Sequence, residues 1–274
     1  MPETGVMTEV GDGALDAEQQ SEYERLVCLD RTFNPTAWQM LSTAGVRAGW
    51  RVADVTPSSG RLASELAAAG MDVAGLDRDT RLAEHSDEHG QVQWSQVDST
   101  RDDNPAVVGP GFDAIHARTM LGHLPRRTMR QRWISWLKPG GWLLVGDAVW
   151  LSPWSPSQQY TAALRALLRA SQTFAAGPKG GWKLPTEMHR GGLHRIDSTI
   201  VVPTVRGGEP WAEFWARTMR QWQHAMVPYG TPYEMTDIAI KQLYQPATVE
   251  AALGLVYTLG QRPYHDPERE PDTK

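Results

Sequence analysis

The chain has 274 residues, 41% hydrophobic and 22% charged, enough apolar material for one large domain or two small ones. A formal net charge of -5 argues against a general nucleic-acid binder, which needs a cationic surface to displace phosphate counterions. No run approaches the roughly 18–20 apolar residues of a membrane span, and a single cysteine, Cys28, excludes an intramolecular disulfide and fits a reducing cytoplasm.

Residues 1–20 read as an acidic, disordered leader without a secretory apolar region, and residues 264–274 as a disordered tail. Between them the chain reads as one domain, 21–263. Asn34-Pro35 is a helix-start signal, since Asn can accept from free N–H groups and Pro suits the first helical position. Arg51–Val55 reads as a strand, Arg61–Ala69 as a helix ended by Gly70, and Asp72–Leu76 as a second strand. Arg78–Glu88 is a poor, polar helix; Val92–Val97 alternates with the period of a strand, and Phe112–Ala117 is a further strand. Pro125 opens a helix that Lys138-Pro139-Gly140-Gly141 stops, ahead of the strand Trp142–Asp147. In the second half Ser157–Phe174 and Pro210–Met226 read as helices, and Arg195–Val205 and Val256–Leu259 as late strands.

Strands alternating with helices predict an α/β fold with a doubly wound, mostly parallel sheet, here of seven strands. Helical lid insertions are expected at about 150–190 and 207–250. Ligands in such sheets bind beyond the carboxyl ends of the strands, near the point where strand order reverses. That rule selects the turn after Val55, and then Asp77, Asp98 and the segment after Ala117. An acidic residue near the end of the first strand can orient the turn, and the N–H groups of the next helix can face a polar group. Asp77, about twenty residues on, is placed to accept from a ribose diol.

These pieces carry a resemblance. RLVCLDRTFNPTAWQML, GWRVADV, GLDRDTRL, FDAIHARTMLGHLPRR, LKPGGWLLVGD and RGGEPWAEFWARTMRQ, in that order, resemble class I S-adenosylmethionine-dependent methyltransferases of the small-molecule type common in actinobacteria. The resemblance implies a Rossmann-like methyltransferase fold, S-adenosylmethionine as cofactor, and a small organic acceptor in secondary metabolism such as antibiotic biosynthesis. It implies that Asp54, Val55 and the turn through Thr56 and Ser58 to Gly60 hold the methionine end. Asp77 would hold the ribose with Arg78 beside the adenine, Asp98 and Ser99 would bracket the adenine, and Ala117 and Arg118 would border the cofactor. His123 would sit near the reacting centre as a base. The sequence departs from the family at the turn, where Thr56, Pro57 and Ser58 stand in place of a glycine-rich run. Glycine is used there for close approach and positive φ.

Other readings stand beside these. Asp54 could instead cap the next helix or pair with a local base, Asp98 could simply start a turn, His123 could cap the helix near Pro125, and Arg118 could be an ordinary ion-pair partner. His116, inside a strand, reads as a satisfied core histidine. The stripe Trp211, Phe214, Trp215, Met219, Trp222 and Met226 reads as core or dimer interface, so a homodimer is left open. Twelve tryptophans, with Trp150, Trp154 and Trp182 in the lid, suggest an aromatic or apolar acceptor. His85-Ser-Asp-Glu88-His89 has a zinc-protease spacing but is polar all round, so no metal is expected. The rival functions are a cyclase or isomerase-like enzyme on the same scaffold, and a non-catalytic partner of an active paralogue.

Overall fold

The computed structural model describes residues 15–99, 109–119, 126–154, 157–174, 180–246 and 249–264. Eight strands and eight α-helices lie within them. The strands are β1 (Arg51–Val55), β2 (Asp72–Asp77), β3 (Val92–Gln96), β4 (Phe112–Thr119), β5 (Leu137–Trp154), β6 (His194–Val201), β7 (Val205–Arg206) and β8 (Val249–Gln261). The helices are α1 (Ala17–Thr43), α2 (Arg61–Ala68), α3 (Arg81–Glu84), α4 (Arg126–Trp136), α5 (Gln158–Phe174), α6 (Gly180–Arg190), α7 (Pro210–Met226) and α8 (Tyr233–Leu243).

The sheet order is β3-β2-β1-β4-β5-β8-β6, with the two-residue β7 also paired to β8. The first five strands are mutually parallel, and β8 runs antiparallel between β5 and β6. The order reverses between β1 and β4, which places the switch point at the carboxyl ends of those two strands. This is the doubly wound, seven-stranded sheet expected from the alternating pattern, with one short extra ladder.

Two apolar layers cover the sheet. On one face Val52, Ala114, Leu144 and Leu259 pack under α1, α2, α5, α7 and α8. On the other, Ala53, Val55, Ile115, Ala117, Leu143 and Val145 pack under α4 and α6 through Trp133, Trp136, Leu184 and Met188. Strands buried on both sides become near-continuous apolar runs, which is why these segments stood out in the sequence.

The first helix differs from expectation. It runs without a break from Ala17 to Thr43 and carries Pro35 inside it. Its start is Asp16, whose side chain accepts from the N–H groups of Glu18 and Gln19, while the Gln19 side chain accepts from the Asp16 N–H. The helix therefore takes in four residues of the segment read as a leader. Pro35 and Arg31, whose carbonyl loses its partner at Pro35, are both exposed, so water can take that carbonyl. Leu29, Phe33, Ala37, Met40 and Leu41, all buried, hold the helix across the proline. The polar stretch after β2 is helical only over Arg81–Glu84, and His85 to His89 form turns, so the two histidines do not share a helix face.

The aromatic stripe of α7 is interior. Trp211 stacks on Phe214 with ring centroids 4.9 Å apart and meets Phe33 of α1 edge-on at 5.1 Å. Trp215 and Met219 are buried beside them, so the stripe is core within one protomer. Trp211→Ala is expected to cost about 3–5 kcal/mol of stability in urea unfolding, with the solution mass of the folded protein unchanged.

Candidate active site

The carboxyl ends of β1, β2 and β4 converge on the turn after Val55. The Thr56 N–H donates to the Leu76 carbonyl at 2.9 Å, and the Val97 N–H donates to the Asp77 carbonyl at 2.6 Å. The Thr56 hydroxyl donates to the Val55 carbonyl at 2.6 Å and lies 3.5 Å from that of Arg118. The turn is thus stitched to both neighbouring strand exits.

Its backbone has the shape that glycines would give. Thr56, Ser58 and Gly60 have φ of 56°, 62° and 81°, all left-handed, and Pro57 lies buried between the first two. A β-branched threonine in this region is a true outlier, and non-glycine residues there cost roughly 1–3 kcal/mol each. Gly60 is required twice over. Besides its φ, an added Cβ would fall 2.2 Å from the Ala83 carbonyl oxygen, a backbone atom that cannot yield. Gly60 is also the N-cap of α2, so the first N–H groups of that helix open beside the turn.

Asp54 and His116 are cross-strand partners on β1 and β4. His116 Nδ1 lies 2.8 Å from Asp54 Oδ1, with both side chains almost wholly buried. Asp54 Oδ2 and His116 Nε2 have no partner among the described residues. His116 is therefore only half satisfied, and Asp54 is held by a strand neighbour and caps no helix.

One step further along the same face, Arg118, Gly146 and Tyr257 stand opposite one another on β4, β5 and β8. Gly146 leaves the space that the Tyr257 ring occupies, since a Cβ there would sit 2.6 Å from it. Arg118 donates from Nη2 to Asp30 Oδ1 and from Nη1 to Asn34 Oδ1 at 3.0 Å, both on α1. Its Nη1 also lies 3.5 Å from the Tyr257 hydroxyl. Asp30 Oδ2 accepts from the Ser59 hydroxyl at 2.5 Å and from the Ser59 N–H at 3.3 Å. Burial pushes the Asp30 carboxyl up, and the Arg118 cation opposes that shift. Burial disfavours the Arg118 cation, but Asp30 and Tyr257 outweigh it and raise its pKa, so the guanidinium stays charged. The Tyr257 hydroxyl is also raised by burial.

Asp77 sits at the rim, partly exposed. Its Oδ1 accepts from the N–H groups of Arg78 at 2.6 Å and Asp79 at 3.3 Å, which fixes the carboxylate at the end of β2. Burial pushes its pKa up, against those two backbone donors. Arg78 is exposed, Asp98 is half-buried and Ser99 buried beyond β3, and Ala117 is fully buried on the opposite sheet face. His123 lies outside the described residues, as do the side chains of Trp150 and Trp154. Trp182 is exposed.

The fold therefore gathers Asp54, Thr56, Ser58, Gly60, Asp77 and Arg118 around one switch point. It also brings in Asp30, Asn34, Ser59 and Tyr257, which the sequence reading missed. A signal for two of them existed: Asp30 and Asn34 fall on the buried stripe of α1 with Phe33 and Ala37, where a polar side chain needs a partner. Asn34 was misread as a helix cap, and its real role is to accept from Arg118.

Arg118→Met would leave the Asp30 carboxylate buried without its cation and should cost about 3–5 kcal/mol in urea unfolding. Adding Asp30→Leu to that variant should restore much of the loss, because two apolar side chains leave no stranded charge.

Comparison with known proteins supplies the family. A methyltransferase domain family matches residues 24–201. No curated protein matches the chain. The chain is similar in structure to phosphoethanolamine N-methyltransferase 2 of Haemonchus contortus, with a TM-score of 0.55 and 14% identity over 87% of this chain. It spans 57% of that enzyme's length. The YcgJ protein of Bacillus subtilis gives a TM-score of 0.52 at 17% identity, over 82% of this chain and 97% of that one. Coclaurine N-methyltransferase gives 0.52 at 12% identity, over 85% and 74% respectively. At these identities the likeness is one of fold, and it agrees with the family match, which covers well over half of the sequence. The protein belongs to the methyltransferase domain family, with the Rossmann-like fold of its class I members.

Proposed function

We propose that the protein transfers a methyl group from S-adenosylmethionine to a small organic acceptor, in the cytoplasm and within secondary metabolism. Family membership and the solved Haemonchus enzyme, whose complexes hold S-adenosylmethionine or S-adenosylhomocysteine, support the donor. The observation that carries the reading is the turn. Thr56, Ser58 and Gly60 keep three left-handed residues between the end of β1 and the start of α2, so the backbone a glycine-rich turn would present survives with glycine only at the last of them. That shape supports methyl transfer over the rival cyclase reading, whose motive was the loss of those glycines.

The described residues fit the donor. Asp54 keeps a buried oxygen without a partner beside the turn, suited to a cationic group at the methionine end. Both backbone donors at Asp77 use Oδ1, and at the partly exposed rim Oδ2 can accept from a ribose diol. Arg78, Asp98, Ser99 and Arg118 complete the proposed lining, with the backbone of Val55 and Ala117, whose side chains pack on the opposite sheet face.

The donor, when bound, supplies a methyl carbon already activated by a sulfonium charge. The chain's part is to hold an acceptor in line with that carbon and to keep water out, so positioning provides most of the rate. Asp54, the turn and Asp77 would hold the donor, which would supply that methyl as an electrophile to the acceptor. His123 is the proposed base for the proton released by a hydroxyl or phenol acceptor. A homodimer stays a proposal, and the apolar stripe of α7, packed within the protomer, does not argue for it.

Calorimetry with S-adenosylmethionine and S-adenosylhomocysteine tests the reading. Binding of either is expected, and no heat at millimolar ligand overturns it. Asp77→Ala should weaken binding by about 1–3 kcal/mol through loss of the diol hydrogen bonds.

The affinity should also depend on pH. Burial raises the Asp77 pKa in the free protein, whereas donors from a bound diol favour the ionised form and lower it in the complex. Affinity is therefore complete above the raised free-state pKa and falls as the pH drops through it, starting above the ordinary aspartate value. Asp77→Asn should remove this acid limb in the same titration.

A further inference from the structure

A turn with threonine and serine in left-handed backbone needs something to hold it, because each residue would relax to negative φ if left alone. The residue next to Ser58 is the one that is held. Ser59 is fully buried, and both its N–H and its hydroxyl donate to a single oxygen of Asp30. That carboxylate belongs to α1, 29 residues earlier in the chain. Its other oxygen accepts from Arg118 at the exit of β4, and Arg118 is fixed in turn by Asn34 and Tyr257. The Thr56 hydroxyl reaches the carbonyls of Val55 and Arg118, and the Ser59 link is the one that ties the turn to α1.

We propose that Asp30 is a positioning residue for the cofactor turn: through Ser59 it holds Thr56 and Ser58 in the left-handed backbone that binding requires, in place of the glycines that would adopt it unaided. The clamp makes α1 part of the cofactor site without touching the cofactor. The inference rests on the cofactor reading above.

The test is a pair of changes in two backgrounds, read by calorimetric titration of the full chain with S-adenosylhomocysteine. Asp30→Asn is the direct variant, but it strands Arg118 as a buried cation and can fail to fold. Ser59→Ala keeps the ion pair and removes the hydroxyl donor. In the natural background it should weaken binding about tenfold, the order of one left-handed residue's strain. In a Thr56→Gly/Ser58→Gly background, where positive φ carries no steric penalty, the same Ser59→Ala change should weaken binding by less than about threefold. Coupling of that kind is not expected of a residue that only stabilises the fold. A natural chain that binds, with equal losses in both backgrounds or with no loss in the first, overturns the clamp and leaves the cofactor reading standing. A natural chain that binds no S-adenosylhomocysteine overturns the cofactor reading and the clamp with it.

Discussion

The ion pair between Arg118 and Asp30 is the contact on which the arrangement of the site depends. Both side chains are removed from water, and a lone charge in that place would be intolerable. Each is therefore surrounded by partners: Ser59 on the carboxylate, Asn34 and the Tyr257 hydroxyl on the guanidinium. The partners come from α1, β4, β8 and the turn after β1. Four segments far apart in sequence are thereby held at mutual positions that apolar packing alone would leave free to slide, because apolar contacts have no direction and hydrogen bonds do.

The turn shows how a motif can change its residues and keep its shape. In the proposed cofactor turn the working parts would be backbone N–H groups and a close backbone approach, for which φ is what matters. Glycine reaches positive φ at no steric cost, and Thr56 and Ser58 reach it at a cost met by the surrounding structure. Pro57 narrows the choices further by fixing its own φ between them. Gly60 alone is irreplaceable, because its missing Cβ makes room for the Ala83 carbonyl as well as permitting its conformation.

The aromatic residues have a plainer use than composition suggests. Trp133 and Trp136 fill the layer under α4, while Trp142, Trp211 and Trp215 belong to the layer under α1 and α7. These five tryptophans fill two apolar layers on a wide sheet, while Trp182 of the proposed lid is exposed. The partner of Phe33 on α1 is Trp211 on α7, so the helical part of the second half and the first helix form one packed face.

The sequence by itself determined the strands β1 to β4, the helix Pro210–Met226, the alternation that makes the sheet parallel, and the acidic residues at the strand ends. Those features are written in local periodicity and in turn residues, which act over a few positions. Only the tertiary structure decided that α1 passes through Pro35, because packing of Phe33 and Leu41 outweighs one missing hydrogen bond. It also decided that His116 holds Asp54, and that Asp30, Ser59, Asn34 and Tyr257 meet at Arg118. Those pairings join residues up to 139 positions apart from Arg118, and no local pattern records which buried polar group will face which. The match is made only when the strands take their register and the helix settles on the sheet.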